Sequence, residues 1–125
     1  MEEIKTYHIN GELHEHYYLL DDFTHGERKA WHFNGQLVSR SHWVNGYIHG
    51  ENMTWHRNGQ LATHEHWING RRHGERKTWH SDGQLTEYSF WLHGKEVTRD
   101  VDNLVTNRYN ITQEERTFIK LAIGC

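Results

Sequence analysis

TWHRNGQL, at residues 54–61, is the stretch whose reading decides the fold: an aromatic residue, a histidine, then an Asn-Gly pair closed by an aliphatic residue. AWHFNGQL at 30–37 and TWHSDGQL at 78–85 repeat it at a spacing of 24, and YHINGEL at 7–13 is a worn first copy. Between these copies stands a second half-repeat, HWVNG (42–46), HWING (66–70) and FWLHG (90–94). A His-Gly-Glu step opens each following unit, at His25-Gly26-Glu27, His49-Gly50-Glu51 and His73-Gly74-Glu75. All six tryptophans, Trp31, Trp43, Trp55, Trp67, Trp79 and Trp91, therefore fall on one twelve-residue grid, which Leu19 and Tyr7 extend backward. The grid divides residues 1–96 into four units, about 1–24, 25–48, 49–72 and 73–96, and leaves 97–125 as a different segment.

Helical periodicity is absent between the tryptophans, whereas Asn-Gly or Asp-Gly recurs at 10–11, 34–35, 45–46, 58–59, 69–70 and 82–83. Such dipeptides are the strongest short hairpin signal, because glycine accepts positive φ without steric cost. Each half-repeat is then one strand and one turn of an antiparallel meander. A three-residue loop at 57–59 pairs Trp55 with Leu61, whereas a two-residue turn there would separate them onto opposite faces. A two-residue turn at Asn69-Gly70 pairs Trp67 with Arg72, and its counterpart pairs Trp43 with Ile48. Leu61 and Trp67 are six residues apart, so plain alternation puts Trp55, Leu61 and Trp67 on one face. The expectation is a single aromatic face that carries the burial, in an array whose units pack only on their neighbours.

Composition agrees with this unusual solution. Only 34% of the 125 residues are hydrophobic, which is poor material for a compact core, yet 13% are aromatic and 11 are glycine, which is wrong for a disordered chain. The one cysteine, Cys125, excludes an internal disulfide framework and a cysteine zinc cluster. No apolar run approaches the length of a spanning helix, and the start lacks a signal-peptide pattern. A net charge of −3 argues against bulk nucleic-acid binding while leaving room for a local basic patch.

The NGQL hairpins with a flanking aromatic, and the His-Gly-Glu step after them, resemble MORN-type repeats, in the variant found in bacterial YwqK-like antitoxins and in repeat proteins of large DNA viruses. The resemblance covers residues 1–96. It implies a non-enzymatic binding module of antitoxin-like or viral host-interaction type, working in the cytoplasm of a bacterium or a virus-infected cell. The fold class expected is mainly β: a single-layer antiparallel β-hairpin meander of four 24-residue MORN-like repeats with a C-terminal helical cap. In the segment 97–125, Thr112-Gln113-Glu114-Glu115 fits a capping box, and Phe118, Ile119, Leu121, Ala122 and Ile123 give an apolar face. A helix over about 113–123 is expected to cap the array or to serve a homodimer, for which a sheet edge is the other route.

Candidate sites follow from what the grid carries. The six tryptophans form a structural ladder, with any exposed members lining a groove for another protein. His32, His56 and His80 follow the odd tryptophans and, with Arg57, Arg71, Arg72, His73, Arg76 and Lys77, supply a polar and basic rim. Aromatic side chains and arginine are the residues most often energetic at interfaces. The same aromatic and basic groups offer an alternative, sequestration of a small anionic ligand such as a nucleotide messenger. The expected register sets His66 opposite His73, with His64 two residues away, so His64, His66 and His73 converge on a surface Zn²⁺ or Ni²⁺ in one reading. In the plainer reading they are a solvated face copied with the repeat. No resident cofactor is expected. A catalytic site finds no support: there is no nucleophile elbow, no phosphate loop and no cysteine with a histidine partner, and repeated glutamates are not a unique constellation.

Overall fold

The computed structural model describes residues 1–97, and the expected helix over about 113–123 lies outside them. Ten strands build one antiparallel sheet: β1 (Glu2–Tyr7), β2 (Leu13–Leu20), β3 (Phe23–Thr24), β4 (Gly26–Trp31), β5 (Leu37–Val44), β6 (Tyr47–Trp55), β7 (Leu61–Ile68), β8 (Arg71–Trp79), β9 (Leu85–Leu92) and β10 (Lys95–Val97). They lie in chain order, with β3 pairing β2 beside β4, so the meander expected from the grid is the fold. Among the described residues only Glu65, Ser89, Phe90, Leu92 and Val97 are buried, as a single layer requires. The remaining apolar burial is shared out along the sheet, and each tryptophan is half-buried.

Two kinds of hairpin alternate. The odd loops close with the His56 amide donating to the Gln60 carbonyl and the Gly59 amide donating to His56, at 2.8 and 2.9 Å. Gly59 at φ 89° is the bulge that a three-residue loop needs, and Trp55 pairs with Leu61. The even turns place both central residues at positive φ, Asn45-Gly46, Asn69-Gly70 and His93-Gly94, and pair Trp43 with Ile48 and Trp67 with Arg72. Asp21-Asp22 makes the equivalent turn in the first unit without a glycine. Odd and even hairpins sit at opposite ends of strands that run roughly 25 Å.

Two expectations need correction, and bulges explain both. Pairing passes from Trp55–Leu61 directly to Thr54–Thr63, so Ala62 is an extra residue on β7. That insertion breaks the alternation on which the single aromatic face rested. Asn52 bonds Glu65, and Glu65 accepts from the Trp67 indole, so these three share one face. Trp55, three residues on from Asn52 along β6, points to the other. Val38 and Thr86 repeat the insertion, so the ladder is two rows: Trp43, Trp67 and Trp91 on one face, Trp31, Trp55 and Trp79 on the reverse. The second bulge lies at the His-Gly-Glu steps. Pairing passes from Trp67–Arg72 to Glu65–Arg76, which leaves His73-Gly74-Glu75 opposite His66 alone, with Gly74 at φ 106°. His66 and His73 are therefore not register partners, and neither are His42 and His49.

Candidate functional site

Histidine and asparagine side chains tie the hairpins together, within units and between them. His25, His49 and His73 accept, through Nδ1, the backbone N–H of Asn45, Asn69 and His93 at 3.2–3.3 Å. On the same edge Gly46, Gly70 and Gly94 donate to the carbonyls of Thr24, Ile48 and Arg72. On the opposite edge His8 and His56 reach the carbonyls of Trp31 and Trp79 through Nε2, and Asn10 and Asn58 reach those of Phe33 and Ser81. Most of the repeated histidines thus satisfy backbone groups that a short hairpin leaves open. His32 and His80 occupy the same loop position in their own units, the first half-buried and the second exposed.

The face of Trp43, Trp67 and Trp91 is polar beneath its indoles. Ser41 and Ser89 accept the indole N–H of Trp43 and Trp91 at 2.8 Å; at the equivalent place Glu65 accepts that of Trp67 at 3.0 Å. Glu65 is 4% exposed and also takes hydrogen bonds from Asn52, Arg72 and Arg76. Burial alone would raise its pKa, but the bonds from Asn52, Trp67 and Arg76 and the charge of Arg72 outweigh burial and hold it below the ordinary value. The Arg72 guanidinium lies 5.2 Å from the Trp67 ring and 5.0 Å from Trp91, bridging two indoles one unit apart.

The basic cluster expected around Arg71–Lys77 is consequently dispersed. Arg72 and Arg76 are committed to Glu65 on the tryptophan face, and Arg76 also reaches Glu87. Lys77 is on the reverse face, 3.9 Å from Glu75 and over Tyr88. There burial and Glu75 push the Tyr88 hydroxyl up to about 12. Arg57 is exposed in an odd loop, at the far end of the strands from Arg71. Strand alternation and opposite hairpin ends separate groups that the sequence sets close together.

The metal trio is also rearranged. The His64 and His66 rings lie tilted to each other with centroids 5.0 Å apart, but the bulge carries His73 to His93, 4.9 Å away. Glu51 takes the third place: it is the register partner of His66 and stands 3.5 Å from His64 Nε2. Burial, then the neighbouring His64, lowers the His66 pKa.

One surface was not read from the sequence. None of the tryptophans is among the strongly exposed apolar side chains, whereas Phe23, Tyr47 and Ile68 are, at 57%, 62% and 43%. Phe23 packs over Gly46 and Tyr47 over Gly70, so closely that a Cβ at either glycine would come within 2.9–3.0 Å of the ring. Val44, Tyr47, Ile68, Arg71, His73 and His93 line a groove of about 740 Å³ along the even hairpins. The 24-residue spacing of Phe23 and Tyr47, each one residue past its turn, was the available signal.

The architecture defines an open β-repeat array, with functional groups spread along a surface instead of gathered in a cleft. The MORN repeat variant model matches residues 24–45, 48–69 and 72–93, three consecutive segments that make up more than half of the chain. The chain belongs to this family, whose repeats are commonly non-catalytic binding units. No curated protein matches it. Among the described residues no helix is long and apolar enough to cross a membrane.

Proposed function

We propose that the protein is a non-enzymatic module that binds another protein along the edge formed by its even hairpins. The observation that carries the reading is the groove bounded by Tyr47 and Ile68, two exposed apolar side chains, with Arg71 on the wall. Apolar residues flanked by arginine suit a segment that presents an apolar side chain beside a carboxylate. An antitoxin or a viral host-interaction protein, in the cytoplasm of a bacterium or an infected cell, is the biological form this activity takes. The sheet ends favour a partner of that kind over self-association through strands, since β1 and β10 carry Glu2, Glu3, Lys5, Lys95 and Glu96 at the edges. The other homodimer route, through the C-terminal segment, lies outside the described residues.

The rival reading, sequestration of a nucleotide-like anion, asks for uncommitted cations on an aromatic face, and Arg72 and Arg76 are paired there with Glu65 and Glu87. Quantitative affinity capture from the source cell separates the two. A partner held in a fixed ratio by the wild type and by Phe33→Ser, but lost with a folded Tyr47→Ser/Ile68→Ser variant, supports the groove. Equal loss with Phe33→Ser, on the opposite edge, overturns it. A saturable rise in Tm with nucleotides would establish the rival.

A further inference from the structure

On the face of Trp31, Trp55 and Trp79, one column holds a glutamate in each unit: Glu3, Glu27, Glu51 and Glu75. The residue thirteen positions on satisfies it in three units. His16 bonds Glu3 at 3.2 Å, Arg40 donates to Glu27 at 2.6 Å, and the Tyr88 hydroxyl donates to Glu75 at 3.2 Å. In the third unit the corresponding pair, Glu51 and His64, stands at 3.5 Å. His64 Nε2 is buried and has no hydrogen-bond partner, a distinction no other buried side-chain nitrogen or oxygen shares among the described residues. His66 lies alongside, opposite Glu51 in register. One carboxylate oxygen and one nitrogen from each imidazole lie within 4.8 Å of one another.

We propose that Glu51, His64 and His66 form a binding site for a borderline divalent cation of the Zn²⁺ type. Two imidazoles and a carboxylate are a donor set that such ions take, with a fourth position left to water. Bonds of about 2.0–2.1 Å in a tetrahedron set ligand atoms about 3.4 Å apart, so atoms already within 4.8 Å of one another need to draw together by at most about 1.4 Å. The metal supplies Nε2 with the partner it lacks. Unit 2 shows the electrostatic logic: there Glu27 and His42 occupy the same places, and the Arg40 guanidinium and the Lys29 ammonium are the cations beside the carboxylate. With His64 replacing that arginine and Met53 that lysine, unit 3 keeps the anion and loses both fixed positive charges. Lys77, opposite His64 in register, does not replace them, because its ammonium is turned to Glu75 and Tyr88.

Calorimetric titration of the untagged, chelator-stripped full chain with ZnCl₂ tests the assignment, with Co²⁺ as a spectroscopic probe. The expected result is one saturable site per chain and a visible Co²⁺ spectrum of a low-coordinate nitrogen–oxygen site. His64→Arg and His66→Asn abolish both signals, and His64→Arg does so while keeping a folded sheet, since it restores the Glu27–Arg40 arrangement of unit 2. His42→Asn leaves both unchanged. The assignment is overturned by wild-type binding without a defined stoichiometry, by binding that survives His64→Arg, or by equal loss with His42→Asn, which would show diffuse capture by surface histidines.

Discussion

Units 25–48 and 49–72 follow the same register strand for strand, yet the carboxylate–guanidinium pairs formed within each unit lie on opposite faces. In the first, Glu27 and Arg40 pair on the face of Trp31, while Trp43 sits on neutral Ser41 and beside Ile48. In the second, Trp67 sits on Glu65 beside Arg72, and the reverse face is left with Glu51 and two imidazoles. The backbone is fixed by the columns both units share, the tryptophans, turn residues and His-Gly-Glu bulges. Columns that differ, Arg40 against His64, Ser41 against Glu65, Tyr47 against Arg71 and Ile48 against Arg72, change chemistry without changing the fold. A repeat array can therefore acquire a site in one unit at little risk to the others.

The largest effect that can break this contrast is at Glu65. Glu65→Ala leaves Arg72, Arg76, Asn52 and the Trp67 indole without their shared acceptor. Removing one member of a buried ionic network costs about 3–5 kcal/mol; with the Arg72 side chain a third exposed, about 3 kcal/mol is expected here. Ser41→Ala, at the same place in unit 2, costs about 1 kcal/mol. Urea unfolding of the two variants measures the difference, and equal values would show that Glu65 is no more than another indole acceptor. Acid sharpens the test. A carboxyl whose folded pKa is lowered contributes stability that is complete above its ordinary value of 4.5 and is lost as pH falls through the folded value. In the presence of a chelator, the Tm gap between the wild type and Glu65→Gln should therefore hold at neutral pH and narrow below about pH 4.5. A gap already absent at neutral pH would mean that the ionised form of Glu65 contributes no stability.

A middle-sized effect comes from the even edge. Gly70 and Gly59 both have positive φ, so alanine strains the backbone at each by about 1–2 kcal/mol. At Gly70 the new Cβ also meets the Tyr47 ring at 3.0 Å, whereas at Gly59 its nearest neighbour is 3.7 Å away. Gly70→Ala should lower Tm more than Gly59→Ala and alter the fluorescence of Tyr47. Equal losses would remove the tight seating of Tyr47 that gives the groove its rigid wall.

Much of this is legible in the sequence itself. The twelve-residue grid gave the strands, and Asn-Gly chemistry gave both hairpin types with their registers. The faces were not legible, because a single inserted residue per strand decides them, and Ala62, Val38 and Thr86 have nothing in common that marks a bulge. His-Gly-Glu did carry its signal, a glycine that recurs where the chain must take positive φ, but its cost in register was not foreseen. Of the candidate site, His64 and His66 stood out by spacing. Glu51 stayed hidden because it is copied with the repeat, and only the change of its partner makes it unusual.

The smallest expected effect tests whether the two backbones are truly equivalent. His25 Nδ1 accepts from the Asn45 amide at 3.3 Å, and His49 Nδ1 accepts from the Asn69 amide at 3.2 Å. Each bond ties an even turn back to the start of its own unit at an exposed edge, so alanine at either histidine costs about 0.5–1.5 kcal/mol. Hydrogen exchange gives a sharper readout than Tm, since loss of the acceptor should speed exchange at Asn45 in His25→Ala and at Asn69 in His49→Ala by similar factors. The Gly46 and Gly70 amides keep their carbonyl acceptors at Thr24 and Ile48 and should stay protected in both variants. If Asn69 accelerates far more than Asn45, unit 3 rests on a looser backbone as well as on different side chains, and its chemistry would no longer be separable from its fold.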